Sequence, residues 1–143
     1  MTRLPERMEE VWILTARGLS EADAARKLGM TRQAVNKMVK EARARLAHWF
    51  VESAEFLNSD LIRLDSVRGF TVLRSRQLGL RIYVIYVPKK GLRAVFGIEP
   101  LCPGKDSERH CREIARAAME LGLVDEFNSD EEVIRRLIRL MES

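Results

Sequence analysis

The densest set of hydrogen-bonding side chains in this chain follows Thr31. These residues are spaced for one helical face, can bond to bases or phosphates and include no acid; they are Arg32, Gln33, Asn36, Lys37 and Lys40. Amides pair well with adenine, so Gln33 and Asn36 are predicted to contact bases, and Arg32 a guanine or a phosphate. The expected phosphate contacts are Thr31, Lys37, Lys40 and Arg43. The pattern therefore favours binding of double-stranded DNA.

The surrounding sequence predicts the elements that position these side chains. Residues 21–40 are typical of a helix, a sharp turn and a second helix. Gly29 follows the first helix, where a left-handed conformation favours glycine. Ser20 and Thr31 suit the N-caps of the two helices. Val35 and Met38 are expected to face inward.

A further helix is predicted over residues 5–17, and the three helices together resemble a known module. The resemblance rests on Gly18-Leu19-Ser20, the paired alanines 24 and 25, the Leu-Gly turn and the Thr-Arg-x-x-Val start of the second helix. Residues 4–46 are similar to the tri-helical DNA-binding modules of LuxR-type regulators and sigma-factor region 4. They look most like archaeal Tfx-type regulators, in which a comparable module opens a protein of similar length. The resemblance implies a helix-turn-helix transcription factor and says nothing of the C-terminal half.

The positive charge of the chain lies in this same segment. Residues 1–50 hold 10 basic and 6 acidic side chains, whereas residues 51–143 hold 15 of each. Between Arg26 and Arg45 there are seven basic residues and one acid, Glu41. Such a cluster attracts the phosphate backbone, although a solvated basic face is the alternative.

Apolar residues continue at helical spacing after residue 46. No glycine or proline occurs between Gly29 and Gly69, and the stripe comprises Leu46, Trp49, Phe50, Ala54, Leu57, Leu61 and Leu64. The stripe predicts helix through residues 48–66. Packing on the C-terminal half and pairing with a second copy are both open, and a homodimer is favoured because two copies recognise two half-sites.

The second half is predicted to be α+β. Residues 69–74, 80–87 and 92–98 are rich in β-branched and aromatic residues, and Pro88-Lys89-Lys90-Gly91 indicates a hairpin. Helices are predicted from Ser107 and from the capping box at Ser129. The expected fold is therefore an N-terminal tri-helical helix-turn-helix with a long following helix, then a small antiparallel sheet of about three strands covered by two C-terminal helices. The predicted divisions are a DNA-binding domain at 1–47, a helical dimerisation linker at 48–66, and a dimerisation or effector domain at 67–143.

The predicted strand region is basic as well. Residues 66–98 contain seven basic residues and no acid, with Lys89 and Lys90 at the hairpin tip. Three interpretations are open: a second DNA contact at these two lysines, a site for an anionic small-molecule or protein effector, and a solvated face balanced by the acidic C-terminal segment.

Other chemistries have weaker support in the sequence. Cys102, His110 and Cys111 match no usual zinc spacing, and buried thiols, a disulfide and a metal or redox site are alternatives. Asp65 and Glu99 lack the companion pattern of a metal-dependent nuclease, and phosphate-loop, HExxH and GxSxG motifs are absent. We expect no catalysis, metal or cofactor.

No apolar run reaches the roughly 20 residues of a membrane helix, and no signal peptide is evident. We therefore expect a cytoplasmic, sequence-specific transcriptional regulator. The alternative is a protein-interaction module of the transcription machinery without strong DNA specificity.

Overall fold

A computed structural model of the chain describes residues 3–126 and 129–143. These residues form five α-helices, one short 3-10 turn at Lys105–Ser107 and four strands. The helices and strands, in chain order, are α1 (Glu6–Ala16), α2 (Glu21–Leu28), α3 (Arg32–Phe56), β1 (Ser59–Asp65), β2 (Phe70–Ser75), β3 (Arg81–Val87), β4 (Gly91–Phe96), α4 (Glu108–Glu120) and α5 (Asp130–Glu142).

The predicted α+β class is confirmed, with one strand more than expected. The strands form a single antiparallel meander in the order β1-β2-β3-β4. The prediction of helix through residue 66 is wrong, because α3 ends at Phe56 and β1 begins at Ser59. Asn58 adopts a left-handed φ of 47° at this point, which stops the helix. Leu61 and Leu64, assigned by spacing to the helical stripe, lie on β1.

The sheet is the middle layer of three. Tyr83 and Tyr86 are three residues apart on β3 and therefore point to opposite faces. The Tyr86 ring packs against Trp12 of α1 and Trp49 of α3, whereas the Tyr83 hydroxyl donates to Glu142 of α5 at 2.7 Å. Residues 82–87 are all buried, as expected of a strand covered on both faces.

The predicted geometry of the N-terminal helices is confirmed. Ser20 caps α2 by accepting from the Asp23 N–H at 3.0 Å, and Gly29 ends that helix with a φ of 64°. Thr31 Oγ1 accepts from the Ala34 N–H at 3.1 Å and caps α3. A separate small core joins the three helices; it comprises Val11, Ala24, Ala25, Val35 and Val39, with the half-buried Met38 against it.

The C-terminal helices cover the sheet face opposite α3. Their starts match the prediction: α4 follows Ser107, and the Ser129 hydroxyl caps α5 by accepting from the Glu132 N–H at 3.3 Å. A disulfide between Cys102 and Cys111 joins the loop after β4 to the first turn of α4. None of the helices within residues 3–126 and 129–143 combines the length and apolar character needed to cross a membrane.

Candidate nucleic-acid interface

The first half of α3 presents an uninterrupted polar surface. Gln33, Lys37 and Lys40 are exposed and follow one another at steps of four and three residues, so they share one face of the helix. Arg32 is exposed beside them. None of these four side chains forms a hydrogen bond or ion pair with any other residue that the structure describes. Their donors are therefore available to a ligand.

The positive charge of this segment is largely unneutralised. Of the seven basic residues between 26 and 45, Arg26 pairs with Asp23 and Arg45 with Glu41. The Arg45–Glu41 distance is 2.9 Å. The remaining five have no acidic partner in the described part of the chain; they are Lys27, Arg32, Lys37, Lys40 and Arg43. An unpaired cluster of this kind is the usual electrostatic footprint of phosphate binding.

Asn36 differs from its neighbours because its amide is already engaged. Its Nδ2 donates to Glu21 Oε1 at 2.9 Å and to Glu21 Oε2 at 3.2 Å, and the residue is half-buried. The contact links the start of α2 to the second turn of α3. Glu21, Asn36, Arg32 and Gln33 line one open groove of about 300 Å³.

Thr31 and Arg43 occupy the two ends of the predicted interface. Thr31 is exposed, and its oxygen accepts the capping hydrogen bond while its own O–H stays available. Arg43 is half-buried, and its Nε is buried without a hydrogen-bond partner among residues 3–126 and 129–143. Arg43 is therefore less accessible to a phosphate than the exposed Lys37 and Lys40.

Lys89 and Lys90 form the exposed tip of the β3–β4 hairpin, as the sequence predicts. Lys89 has a left-handed φ of 67°, and its N–H donates to the carboxylate of Glu9 at 3.0 and 3.1 Å. This bond ties the hairpin to α1. No contact within the described residues joins the two lysines to the polar surface of α3, so they form a separate basic site.

Most arginines of the strand region are paired with acids. Arg68 bonds Asp65 at 2.8 Å, Arg76 bonds Asp60 at 2.9 Å, Arg81 lies 3.3 Å from Glu142 and Arg93 bonds Glu113 at 3.1 Å. Burial by itself raises the pKa of Asp65, but hydrogen bonds from Arg68 outweigh it and lower that pKa overall. The face is therefore largely balanced, but by acids of β1 and α4 as well as by Glu142 of the acidic C-terminal segment.

The residues considered for metal or nuclease chemistry do not form one site. Cys102 and Cys111 are joined to each other, and His110 Nε2 lies 2.7 Å from the Ala94 carbonyl oxygen. Asp65 ends β1 at one end of the sheet, whereas Glu99 follows β4 at the other and pairs with Arg135. Within residues 3–126 and 129–143 there is no group of three or more His, Cys, Asp or Glu side chains that could hold a metal ion.

Two acidic residues of this region were missed by sequence reasoning. Glu21 was treated as part of the first helix of the motif, although a helix-turn-helix geometry brings residue 21 near residue 36. Glu9 lies on the helix predicted over residues 5–17, yet it is 3% exposed and accepts the hydroxyl hydrogen bond of Tyr86. A tyrosine inside the apolar run of β3 was the available signal, because a buried hydroxyl requires a partner.

Comparisons of the chain with protein-family models, with curated proteins and with solved structures found no match. The resemblance to tri-helical regulators therefore rests on the residues of the chain alone.

Proposed function

We propose that this protein is a sequence-specific, double-stranded-DNA-binding transcriptional regulator with the first half of α3 in the major groove. Arg32 and Gln33 contact base edges, and Lys37 and Lys40 hold the phosphates on either side. Thr31 adds a hydroxyl donor at the start of the helix. A regulator of this kind, similar to archaeal Tfx-type proteins, works in the cytoplasm.

The observation that carries this proposal is the unpartnered polar surface of α3. These exposed amides and cations are solvated by water and have no partner in the described part of the chain, so they are free to exchange that water for the acceptors of a DNA groove. The glycine turn at Gly29 sets α2 across α3, so that the face of α3 opposite the small core is free to enter a groove.

A selection from random-sequence duplex DNA with the purified full chain, repeated at several salt concentrations, tests the proposal. We expect an enriched motif whose preference over random DNA survives added salt, because base contacts do not depend on counterion release. Weak binding that falls steeply with salt and enriches no motif contradicts the proposal and supports the interaction-module alternative.

We also propose that the regulator is a homodimer. Large apolar side chains are exposed at the end of the sheet farthest from α1; Phe56 is 89% exposed and Leu78 is 70% exposed. The Arg76 N–H donates to the Asn58 carbonyl at 3.3 Å, which brings the end of α3 beside the β2–β3 turn that carries Leu78. These two exposed side chains on neighbouring segments, called the apolar patch below, favour a protein interface.

The same patch is the observation that favours the alternative function, a protein-interaction module. In that case a subunit of the transcription machinery, not a second copy, covers Phe56 and Leu78. The C-terminal half also has a groove of about 330 Å³ between α5 and residues 97–101, with Tyr83 and Ile138 on its walls and Arg139 at its edge. We propose this groove as the place for a small-molecule or protein effector.

A further inference from the structure

The hydrogen-bonded pair of Glu21 and Asn36 places an acid on the proposed DNA-binding surface. The Asn36 Nδ2 lies 2.9 and 3.2 Å from the two carboxylate oxygens of Glu21. Both side chains open into the groove that Arg32 also lines. A carboxylate next to phosphates is repelled by them, so Glu21 weakens DNA binding unless a group of the DNA donates a hydrogen bond to it.

The pair presents mainly hydrogen-bond acceptors. Each Glu21 oxygen retains a free lone pair, and the Asn36 Oδ1 accepts no hydrogen bond within the described part of the chain. The Asn36 amide nitrogen, which would donate to adenine N7, is turned toward Glu21 instead. In the major groove the base-edge donors are the amino groups of cytosine and adenine, whereas guanine and thymine present acceptors.

The surroundings of the two amino groups favour cytosine. Adenine carries the acceptor N7 beside its amino group, and a carboxylate would face that lone pair. Cytosine carries only a C–H at the corresponding position. Its partner guanine offers N7 and O6, which suit the bidentate guanidinium of Arg32 in the same groove.

We propose that the Glu21–Asn36 pair recognises the 4-amino group of a cytosine, with Arg32 contacting the guanine that is paired with it. The inference rests on the proposed function, in which α3 lies in the major groove. It replaces the sequence-based expectation that Asn36 pairs with adenine. It also assigns Glu21 a role in specificity that the first helix of the motif did not suggest.

The alternative is that the Glu21–Asn36 hydrogen bond only holds α2 against α3, as a structural clamp. The variant Glu21→Gln distinguishes this clamp from a role in base recognition. The glutamine oxygen still accepts from Asn36 Nδ2, so the link between the helices persists while the charge is lost. The matched control is Glu55→Gln, which removes an exposed acid at the opposite end of α3. A clamp predicts that the two variants behave alike on DNA.

The experiment is a random-sequence duplex selection with the full chain and both variants, followed by titration of the selected site. In the titration, the selected cytosine is also replaced by 2-pyrimidinone, which lacks the 4-amino group. For the native chain we expect one strongly preferred cytosine and about tenfold weaker binding to the analogue. The Glu21→Gln variant should lose about tenfold of the preference for cytosine and keep the native preference at the other positions of the motif. The melting temperature of the protein should not change. The variant should also bind random DNA more tightly, because one negative charge is removed. Glu55→Gln should keep the native preference.

Two results overturn the inference while leaving the proposed function intact. One is an enriched motif in which Glu21→Gln keeps the native cytosine preference; the other is equal affinity for cytosine and 2-pyrimidinone at every selected cytosine. Failure of the native chain to enrich any motif overturns the proposed function and, with it, this inference.

Discussion

At the scale of single residues, the most constrained group is the buried carboxylate of Glu9. It accepts from the Tyr86 hydroxyl and from the Lys89 N–H, and the Tyr86 oxygen in turn accepts from the Leu4 N–H at 2.9 Å. A buried carboxylate is tolerated only when hydrogen bonds replace its water. The network therefore fixes the start of α1 to the β3–β4 hairpin, and with it the orientation of the N-terminal helices.

Tyr86→Phe tests this network through its pH dependence. Burial first, and the hydrogen bond to Glu9 second, raise the pKa of Tyr86 above its ordinary value of 10.0. The folded chain thus holds the phenol proton more tightly than the unfolded chain. This stabilisation is complete below about pH 10 and is lost as pH rises from there toward the folded-state pKa.

We expect Tyr86→Phe to lower the free energy of unfolding by about 1–3 kcal/mol at neutral pH, because Glu9 and the Leu4 N–H each lose a partner. The variant should also lose less stability than the native chain between about pH 9 and pH 11. Urea unfolding at a series of pH values measures both effects. Parallel curves for the two proteins would show that the phenol does not titrate differently in the folded state.

At the scale of elements, α1 is seated on the sheet by Trp12. Its Nε1 donates to the Ser66 carbonyl at 3.1 Å, and its ring lies directly over Gly69. A Cβ on Gly69 would come within 2.5 Å of the indole Cη2, and Gly69 also has a φ of 86°. Only glycine allows this approach of α1 to the β1–β2 turn.

Gly69→Ala should therefore destabilise the fold by more than backbone strain alone. The matched control is Gly79→Ala, where φ is 69° but nothing lies within 4 Å of the added Cβ. We expect Gly79→Ala to lower the free energy of unfolding by about 1–2 kcal/mol, the cost of a left-handed alanine. Gly69→Ala should lower it by about 1–3 kcal/mol more, because the added methyl group overpacks against the indole. Denaturant unfolding of the two variants measures these losses of stability. Equal losses for Gly69→Ala and Gly79→Ala would mean that Trp12 moves aside without cost.

The first half of α3, the proposed DNA-binding surface, gives a prediction of a different kind. Lys40→Gln removes one exposed cation from the proposed phosphate contacts, so it should weaken binding to all DNA sequences about equally. The slope of log affinity against log salt should fall by about one. Lys105→Gln, an exposed lysine in the 3-10 turn before α4, is the control and should leave the slope unchanged. A change in sequence preference in Lys40→Gln would instead assign that lysine to base contact.

Element prediction from the sequence succeeded where one local signal dominated. Gly29, Thr31 and Ser129 each mark a helix end by conformation or capping, and the structure uses all three in this way. β1 was missed because Leu57, Leu61 and Leu64 fit a helical period. The competing factor was the hydrogen bonding that β2 offers, a long-range pairing that spacing does not encode.

The site was predictable to a lesser degree than the helices that carry it. Side-chain types and spacing place Gln33, Lys37 and Lys40 on one exposed face, as the structure has them. Spacing does not say which of these donors is already bonded within the chain. The engagement of Asn36 by Glu21 depends on the crossing of α2 and α3, a tertiary feature, so it became visible only in the fold.

At the scale of the whole molecule, the length of α3 separates the proposed DNA-binding surface from the proposed dimer patch. The polar surface of α3 belongs to the N-terminal half of that helix, and the apolar patch at Phe56 follows its last turn. Because α3 is one continuous helix with about 1.5 Å of rise per residue, Phe56 lies roughly 24 Å from Lys40 and roughly 36 Å from Arg32 along the helix axis. A dimer formed through Phe56 and Leu78 would therefore leave both proposed DNA-binding surfaces free.

A double variant, Phe56→Ser with Leu78→Ser, tests this arrangement. Both side chains are largely exposed, so the substitutions should leave the packing within one chain unchanged while removing the interface. We expect the native chain to sediment as a dimer and the double variant as a monomer, with weaker binding to a palindromic site but similar binding to a half-site. Val67→Ser, a 43% exposed apolar residue at the opposite end of the sheet, should remain dimeric. A native chain that sediments as a monomer at every concentration would contradict the dimer. A dimeric double variant would place the interface elsewhere.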